Sequence, residues 1–215
     1  MSLHLVAAPA VEPITLEDLR NHLRIGDGVE DAYLKRLQRA VRMRCERATR
    51  RALITQTWDL YLDQWPTWDG YHGGRTFEPV STVLPPGGWV EIPKAPLQSI
   101  TYVKYTALDG TLTTWDTSNY LVDTPTGEYC RRGRLGLGWV KVWPIIRPVQ
   151  NAIQIRFDAG YGDNPSDVPE MLIQAMLLDA GTLFDIRGSV LAGTRAAEIE
   201  IPSTTNDIYL SFRSL

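Results

Sequence analysis

The chain carries a set of arginines whose spacing places them on one face of a helix. Arg36, Arg39, Arg47 and Arg50 lie opposite an apolar stripe in the same segment, and we call this set the arginine face. Guanidinium groups arranged in this way can bind DNA phosphates or pair with carboxylates of a neighbouring subunit; the alternative is a face that only contacts solvent. The formal net charge is −3 and no base-reading motif is present, so sequence-specific DNA binding is not expected.

Residues that could catalyse a reaction or hold a metal ion are few and dispersed. The three histidines, His4, His22 and His72, belong to no metal-binding motif, and the two cysteines, Cys45 and Cys130, lack the spacing of metal ligands. No serine stands in a Gly-x-Ser-x-Gly motif. We therefore predict a protein that is not an enzyme and that uses no cofactor and no metal.

Two further patterns resemble ligand sites but fit them poorly. The glycines of Gly133-Arg-Leu-Gly-Leu-Gly suggest a phosphate-binding loop, yet no Gly-Lys-Ser/Thr follows and they do not lead into a helix. We expect a turn-rich connection between strands there. Asp158, Asp163 and Asp167 lack the alternating ligand positions and the terminal glutamate of a calcium-binding loop, so turn and capping roles are expected instead.

Tryptophan is abundant in the middle of the chain. Most of these side chains are expected to anchor a sheet that has little other core. Trp65 and Trp68 lie in a long segment rich in glycine and proline, from Gln64 to Gly88, and are candidates for contact with a protein partner. The seven tryptophans are Trp58, Trp65, Trp68, Trp89, Trp115, Trp139 and Trp143.

Two helices are predicted near the N-terminus. Thr15 can cap the first helix, and Gly26 and Gly28 are expected to end it. The second helix is predicted from about Glu30 to Ala52, where apolar residues recur at intervals of three and four. It carries the arginine face, and it is too long and too polar to be enclosed by the rest of this chain.

Strand patterns follow and then give way to a third helix. Alternation begins at Thr55–Asp63, the Asp109-Gly110 pair predicts a tight hairpin turn, and Val140–Trp143 is predicted as a late strand. Asp167 can cap the third helix, which is expected to end near Arg187. The broad apolar arc of this helix needs a partner, and the candidates for a subunit interface on it are Ile173, Leu177 and Phe184.

This order of elements predicts an α+β fold, in which a β-rich insertion interrupts a helical body. We expect one domain over residues 1–215, with helical parts at about 13–53 and 166–188, an insertion at about 54–160 and a polar tail at 189–215. The low cysteine content indicates a reducing cytoplasm. No apolar run is long enough to cross a membrane, so no membrane partner is expected.

The order of several short motifs resembles that of tailed-bacteriophage head–tail connector (adaptor) proteins. Each motif is degenerate, and the resemblance depends on their order and spacing over roughly residues 12–190. The most specific is Ile153-Gln-Ile-Arg-Phe-Asp-Ala-Gly-Tyr-Gly, followed by Asp167-Val-Pro-Glu and the last helix. The others are Pro13–Ile25, Glu30–Leu34, Leu53–Leu62, Ile92–Tyr105 and Asp109-Gly110.

The resemblance implies a structural subunit of a phage or prophage virion, assembled in the cytoplasm of a bacterial host. In this family about a dozen copies form a ring that docks below the portal, contacts tail-side connector proteins and continues the channel for double-stranded DNA. The family supplies no catalytic residues. Two alternatives stay open: a nucleic-acid-binding module that uses the arginine face, and an enzyme with a concave pocket around residues 64–88.

Overall fold

The computed structural model describes residues 1–28, 30–66, 88–186 and 203–214. The mixture of helices and antiparallel strands confirms the predicted α+β class. In chain order the elements are β1 (Ser2–Ala7), α1 (Leu16–Leu23), α2 (Asp31–Thr49), β2 (Gln56–Leu62), β3 (Val90–Glu91), β4 (Leu97–Thr106), β5 (Leu112–Trp115), β6 (Tyr120–Asp123), β7 (Arg134–Leu137), β8 (Ile153–Ala159), α3 (Glu170–Ile186) and α4 (Ser203–Ser211).

The chain divides into two compact units, a β unit and a helical unit. The β unit comprises Met1–Ala8, Gln56–Thr126 and Arg132–Ala159. The helical unit comprises Pro9–Thr55, Gly127–Arg131 and Gly160–Leu215. The chain therefore passes between the units more often than a simple insertion would require.

The β unit contains two antiparallel sheets. The larger has the strand order β1-β2-β8-β4-β5 and the smaller has the order β3-β7-β6. Leu60, Val103 and Ile155 are fully buried on neighbouring strands of the larger sheet, as alternation predicts. The predicted hairpin joins β4 to β5, with Gly110 at a φ of 92°.

The N-terminal residues form a strand that sequence analysis did not predict. Strand β1 pairs with β2 as an edge strand, and a register shift interrupts the pairing between Leu5 and Ala7. Nearly all of its residues are exposed. Polar and apolar residues alternate only over Ser2-Leu3-His4-Leu5, and Val6-Ala7 breaks the pattern, so the signal of this strand is weak in the sequence.

The prediction of a strand at Val140–Trp143 was wrong. Val140 has a φ of 59°, a left-handed conformation that a β-branched residue rarely adopts and that a strand cannot contain. The strand lies earlier, at β7, and includes Gly136 of the glycine-rich segment. That segment is therefore a paired strand and not only a turn-rich connection.

The first two helices end earlier than the sequence suggested. Thr15 caps α1 in a capping box with Asp18, but the helix closes at Arg24, which is left-handed, before either glycine is reached. Helix α2 ends at Thr49, so the predicted end at Ala52 was wrong. The backbone N–H of Ser214 donates to the Thr49 carbonyl at 3.0 Å and so satisfies one of the free carbonyls at this helix end.

The C-terminal half of the helical unit also differs from expectation. Asp167 does not cap α3: its carboxylate accepts from the Asn164 backbone at 2.9 Å in a short 3₁₀ turn, and α3 begins at Glu170. Part of the segment predicted as a polar tail is helix α4. Its Thr205 and Tyr209 are buried, and so is Phe212, which follows the helix; Tyr209 and Phe212 belong to the helical core.

A buried arginine joins three distant stretches of the helical unit. Arg51 is 1% exposed and lies two residues beyond the end of α2. Its Nε donates to the Phe212 carbonyl at 2.6 Å, and its Nη2 donates to the Cys130 carbonyl at 2.8 Å. These bonds provide acceptors for a cation that burial would otherwise destabilise strongly.

The stretches where the chain leaves and re-enters the helical unit are bonded to each other. The Thr55 N–H donates to the Gly162 carbonyl at 2.9 Å, and the Tyr161 N–H donates to the Leu53 carbonyl at 3.1 Å. Gly160 has a φ of 150°, and a Cβ there would lie 2.6 Å from the Thr55 nitrogen. The close approach of two backbone segments thus requires glycine at this position.

We predict that Gly160→Ala lowers the free energy of unfolding by at least about 2 kcal/mol, because both the backbone angle and the contact become strained. Gly136→Ala is the matched control, since a Cβ at Gly136 meets no atom within 4 Å. Urea unfolding of both variants tests this. Equal stability of the two variants would contradict the role assigned to Gly160.

Candidate assembly surfaces

The arginine face exists in the structure as an exposed row along α2. Arg36, Arg39 and Arg47 are exposed and lie opposite the buried stripe of the helix. Arg50 is also exposed, but it follows the last helical residue and has a left-handed φ of 59°. Met43 lies in the same row and is 62% exposed. The surface is thus basic at both ends and apolar at its centre. Sequence reasoning missed Met43, although its helical spacing from Arg36 and Arg47 is visible.

Ion pairs within the helical unit use other basic side chains of α2. Arg42 pairs with Glu12 at 2.7 Å and with Glu46 at 3.1 Å. Arg44 lies 3.4 Å from Asp179 of α3. These contacts fix the orientation of α2 against its neighbours, and they thereby hold the arginine face on the outside of the unit.

Asp179 is a buried carboxylate at the centre of this packing. It is 1% exposed, and it accepts a hydrogen bond from the Tyr209 hydroxyl at 2.9 Å. Burial raises the pKa of Asp179 above its usual range, while the bond from Tyr209 and the nearby Arg44 oppose the shift. The carboxylate links α2, α3 and α4, and it explains why an acid interrupts the apolar pattern of α3.

The three interface candidates on α3 are half-buried in this structure. Ile173, Leu177 and Phe184 pack against the core of the helical unit, so part of their apolar surface is already covered. Two other apolar side chains of α3 are exposed: Met171 at 51% and Leu178 at 37%. The sequence defines an apolar arc, but not which edge of the arc the rest of the chain covers.

Trp65 belongs to an aromatic cluster inside the β unit. It is 7% exposed, its ring stacks on Trp143 with centroids 4.5 Å apart, and its Nε1 donates to the Pro144 carbonyl at 3.0 Å. Trp115 and Tyr120 complete the cluster. The structure thus gives Trp65 a packing role, contrary to the expectation of partner contact. Trp68 lies outside the described residues.

A segment of the β unit displays large apolar side chains instead. In residues 139–149, Trp139 is 82% exposed, Val140 78%, Val142 69% and Ile145 76%. Trp143 anchors the segment in the aromatic cluster, and the Arg147 N–H donates to the Thr106 carbonyl at 2.9 Å. Exposed apolar side chains concentrated in this way are a mark of interaction surfaces.

A polar network covers part of one face of the larger sheet. Arg156 on β8 binds Asp59 on β2 through two hydrogen bonds of 2.8 Å. Gln154 donates to Asp59 at 3.0 Å and to the Tyr102 hydroxyl at 3.1 Å. The hydrogen bond from Arg156 lowers the pKa of the Asp59 carboxyl, against the opposing effect of burial. Its members bind one another, so the network is best explained as cross-strand stabilisation.

Two of the aspartates that resemble a calcium-binding loop, Asp158 and Asp167, accept hydrogen bonds from nearby protein groups. Asp158 accepts from Thr57 at 2.6 Å and from Ser99 at 3.1 Å across the sheet, whereas Asp167 accepts from the Asn164 backbone in the 3₁₀ turn described above. A hollow of about 440 Å³ in the helical unit is lined by Glu128, Asp167 and Glu170 among others. In the described part of the chain, no group of three or more metal-ligating side chains comes together.

The alternative of an enzyme pocket concerns residues 64–88, of which 67–87 lie outside the described residues. Among the helices that the structure describes, none is long and apolar enough to span a bilayer.

We predict that Trp65→Ala destabilises the β unit by about 3–5 kcal/mol, because it removes a buried ring from the aromatic cluster. Trp139→Ala, the control, removes an exposed ring and should change stability by less than about 0.5 kcal/mol. Thermal unfolding followed by tryptophan fluorescence distinguishes the two. A destabilising effect of Trp139→Ala as large as that of Trp65→Ala would contradict these positions.

The Asp59 network predicts a dependence of stability on pH. Since the pKa of Asp59 is lowered in the folded protein, the unfolded chain binds more protons near pH 4. The stabilisation is therefore complete above the usual pKa of an aspartate and is lost as the pH falls below it. Asp59→Asn should be less stable at pH 7 and should lose less stability than the wild type between pH 5 and 3.

Urea unfolding at each pH tests this expectation. Asp163→Asn, at an exposed position, serves as the control and should follow the wild type. If the free energy of unfolding changes with pH in the same way for Asp59→Asn and the wild type, the hydrogen bonds from Arg156 to Asp59 are not the cause of the pH dependence.

Comparison with solved structures shows that this fold occurs in a phage-like particle. A chain in the neck of an empty gene transfer agent particle, computed with C6 symmetry, has a TM-score of 0.71 and 24% identity. Chains in the native particle's neck, computed with C12 symmetry, and in its virion give TM-scores of 0.70 and 0.68 at 22% and 23% identity. Each match covers 100% of this chain and 96% of the other.

Sequence comparison alone adds nothing to this result: no protein-family model matches the chain, and no curated protein matches it. At these identities the structural matches establish a shared fold. The matches extend over both units.

Proposed function

We propose that this protein is a structural subunit of the neck of a phage or phage-like particle. In this proposal its copies form a ring that docks below the portal, contacts tail-side proteins and continues the DNA channel. The observation that carries the proposal is the full-length match to neck chains of a gene transfer agent particle. A match confined to the helical body would have supported only a common helical core.

The exposed surfaces are consistent with a cyclic assembly. In a ring, each subunit contacts its two neighbours through two different patches, and further surfaces face the structures above and below. The described chain has an exposed basic helix face and an exposed apolar segment at residues 139–149. The symmetric necks of the gene transfer agent, determined with C6 and C12 symmetry, support a ring as the form of assembly.

A second candidate function is contact with DNA through the arginine face. Four exposed guanidinium groups along one helix can bind phosphates without reading sequence. In a ring this face would line the channel, whereas an isolated DNA-binding module would bind duplex DNA as a monomer. The first candidate would contact DNA only as an assembled ring. The DNA-binding module would bind duplex DNA as a monomer, and this binding would weaken as the salt concentration rises.

We predict that the protein forms rings when it is co-expressed with the portal protein encoded by the same genome. The portal is included because a template can be required for ring closure. Negative-stain electron microscopy of the purified complex should show a second ring stacked on the portal. The protein expressed alone, examined by mass photometry, is the reference for template dependence.

A chain that stays monomeric and unbound beside its portal would contradict the neck proposal. Salt-sensitive binding of duplex DNA by that monomer would then favour the DNA-binding module. Absence of DNA binding at low salt would remove that candidate as well.

A further inference from the structure

The exposed faces of α2 and α3 are complementary in charge. The exposed charged residues of α2 are all basic, namely Lys35, Arg36, Arg39 and Arg47, whereas those of α3 are the two acids Glu170 and Asp185. Both helices belong to the helical unit, and their inner faces pack together in its core. Their outer faces are thus two separate surfaces of one unit, with opposite charge.

The outer face of α2 is the arginine face together with Met43. The helical part of this row, from Arg36 to Arg47, spans about 16 Å at 1.5 Å per residue, and Arg50 follows at the end of the helix. Met43 lies near its centre, with its side chain 62% exposed. A methionine can adapt its shape to an apolar partner, so the centre of the row is suited to a protein contact as well as to solvent.

The outer face of α3 has the opposite arrangement of charge. It begins at Glu170 and ends at Asp185, both exposed, a span of about 22 Å. Between them lie Met171, Gln174 and Leu178, of which Met171 is 51% exposed and Leu178 37%. One acidic side chain at each end and the apolar Leu178 near the middle match the basic ends and apolar centre of the α2 face.

We propose that the outer face of α2 in one subunit packs on the outer face of α3 in the next copy of the same chain. This contact uses two different faces, so each subunit can bind one neighbour on either side and the assembly can close into a ring. The inference rests on the neck function proposed above and identifies the surface through which its subunits join. It assigns the arginine face to a subunit contact and not to the DNA channel.

Charge reversal tests the contact directly in the co-expressed portal complex. Arg36→Glu with Arg47→Glu should abolish the ring by placing acidic side chains against α3. Glu170→Lys with Asp185→Lys should abolish it equally. A chain with all four substitutions has a reversed but again complementary pair of faces, and it should recover the ring. Circular dichroism of each variant confirms that the helices remain folded.

A cysteine pair tests the same contact without changing its charge. Met43→Cys with Leu178→Cys should give a ladder of covalent oligomers after mild oxidation, seen on a non-reducing gel. Either substitution alone should give no ladder, because neither face meets its own copy in a head-to-tail contact. The natural thiols, Cys45 and Cys130, are buried and provide a low background.

The outcomes separate this inference from the function on which it rests. If the wild-type chain forms no ring on its portal, the neck proposal fails. If the wild type forms a ring and the charge-reversed double variants do so too, the inference is wrong and the neck proposal stands. If Trp139→Asp abolishes the ring and charge reversal does not, the subunit contact lies at residues 139–149 instead. If Arg36→Glu with Arg47→Glu leaves the ring intact but the ring no longer retains DNA, the arginine face lines the channel.

Discussion

The architecture of the helical unit depends on one buried cation. Arg51 lies where α2 ends, and its guanidinium binds the carbonyls of Cys130 and Phe212. These two residues lie in segments that are distant in the chain, yet both must be in place for the buried charge to be satisfied. Ser214 lies in the same region, where its backbone N–H donates to the Thr49 carbonyl and its hydroxyl donates to the Arg50 carbonyl. These hydrogen bonds attach the segment after α4 to the end of α2.

This internal bonding determines which helix faces remain outside. Arg42, Arg44 and Asp179 hold the inner sides of α2 and α3, and the buried Tyr209 adds α4 to the same packing. The remaining sides are basic on α2 and apolar with acidic ends on α3. The charged outer faces are therefore a consequence of how the core is packed, and a head-to-tail assembly is the arrangement that uses both.

The sequence predicted the features that local chemistry determines. The capping residue Thr15, the turn at Asp109-Gly110, the arginine face and the α+β class followed from spacing and turn preferences. Long-range contacts were missed: β1 has no buried face, α4 is short and is held by a few buried residues, and Arg51 is buried by partners far away in the chain. Trp65 and the α3 candidates show the same limit, because burial depends on neighbours that a local pattern does not reveal.

The most direct test of this account is an electron cryomicroscopy map of the protein bound to its portal, at a resolution that shows side chains. We expect a closed ring in which Met43 of each subunit contacts Met171 or Leu178 of the next subunit. The arginine face is then covered by α3 of that neighbour. A ring joined through residues 139–149, with the arginine face lining an open channel, would contradict it. Absence of any ring on the portal would contradict the neck function itself.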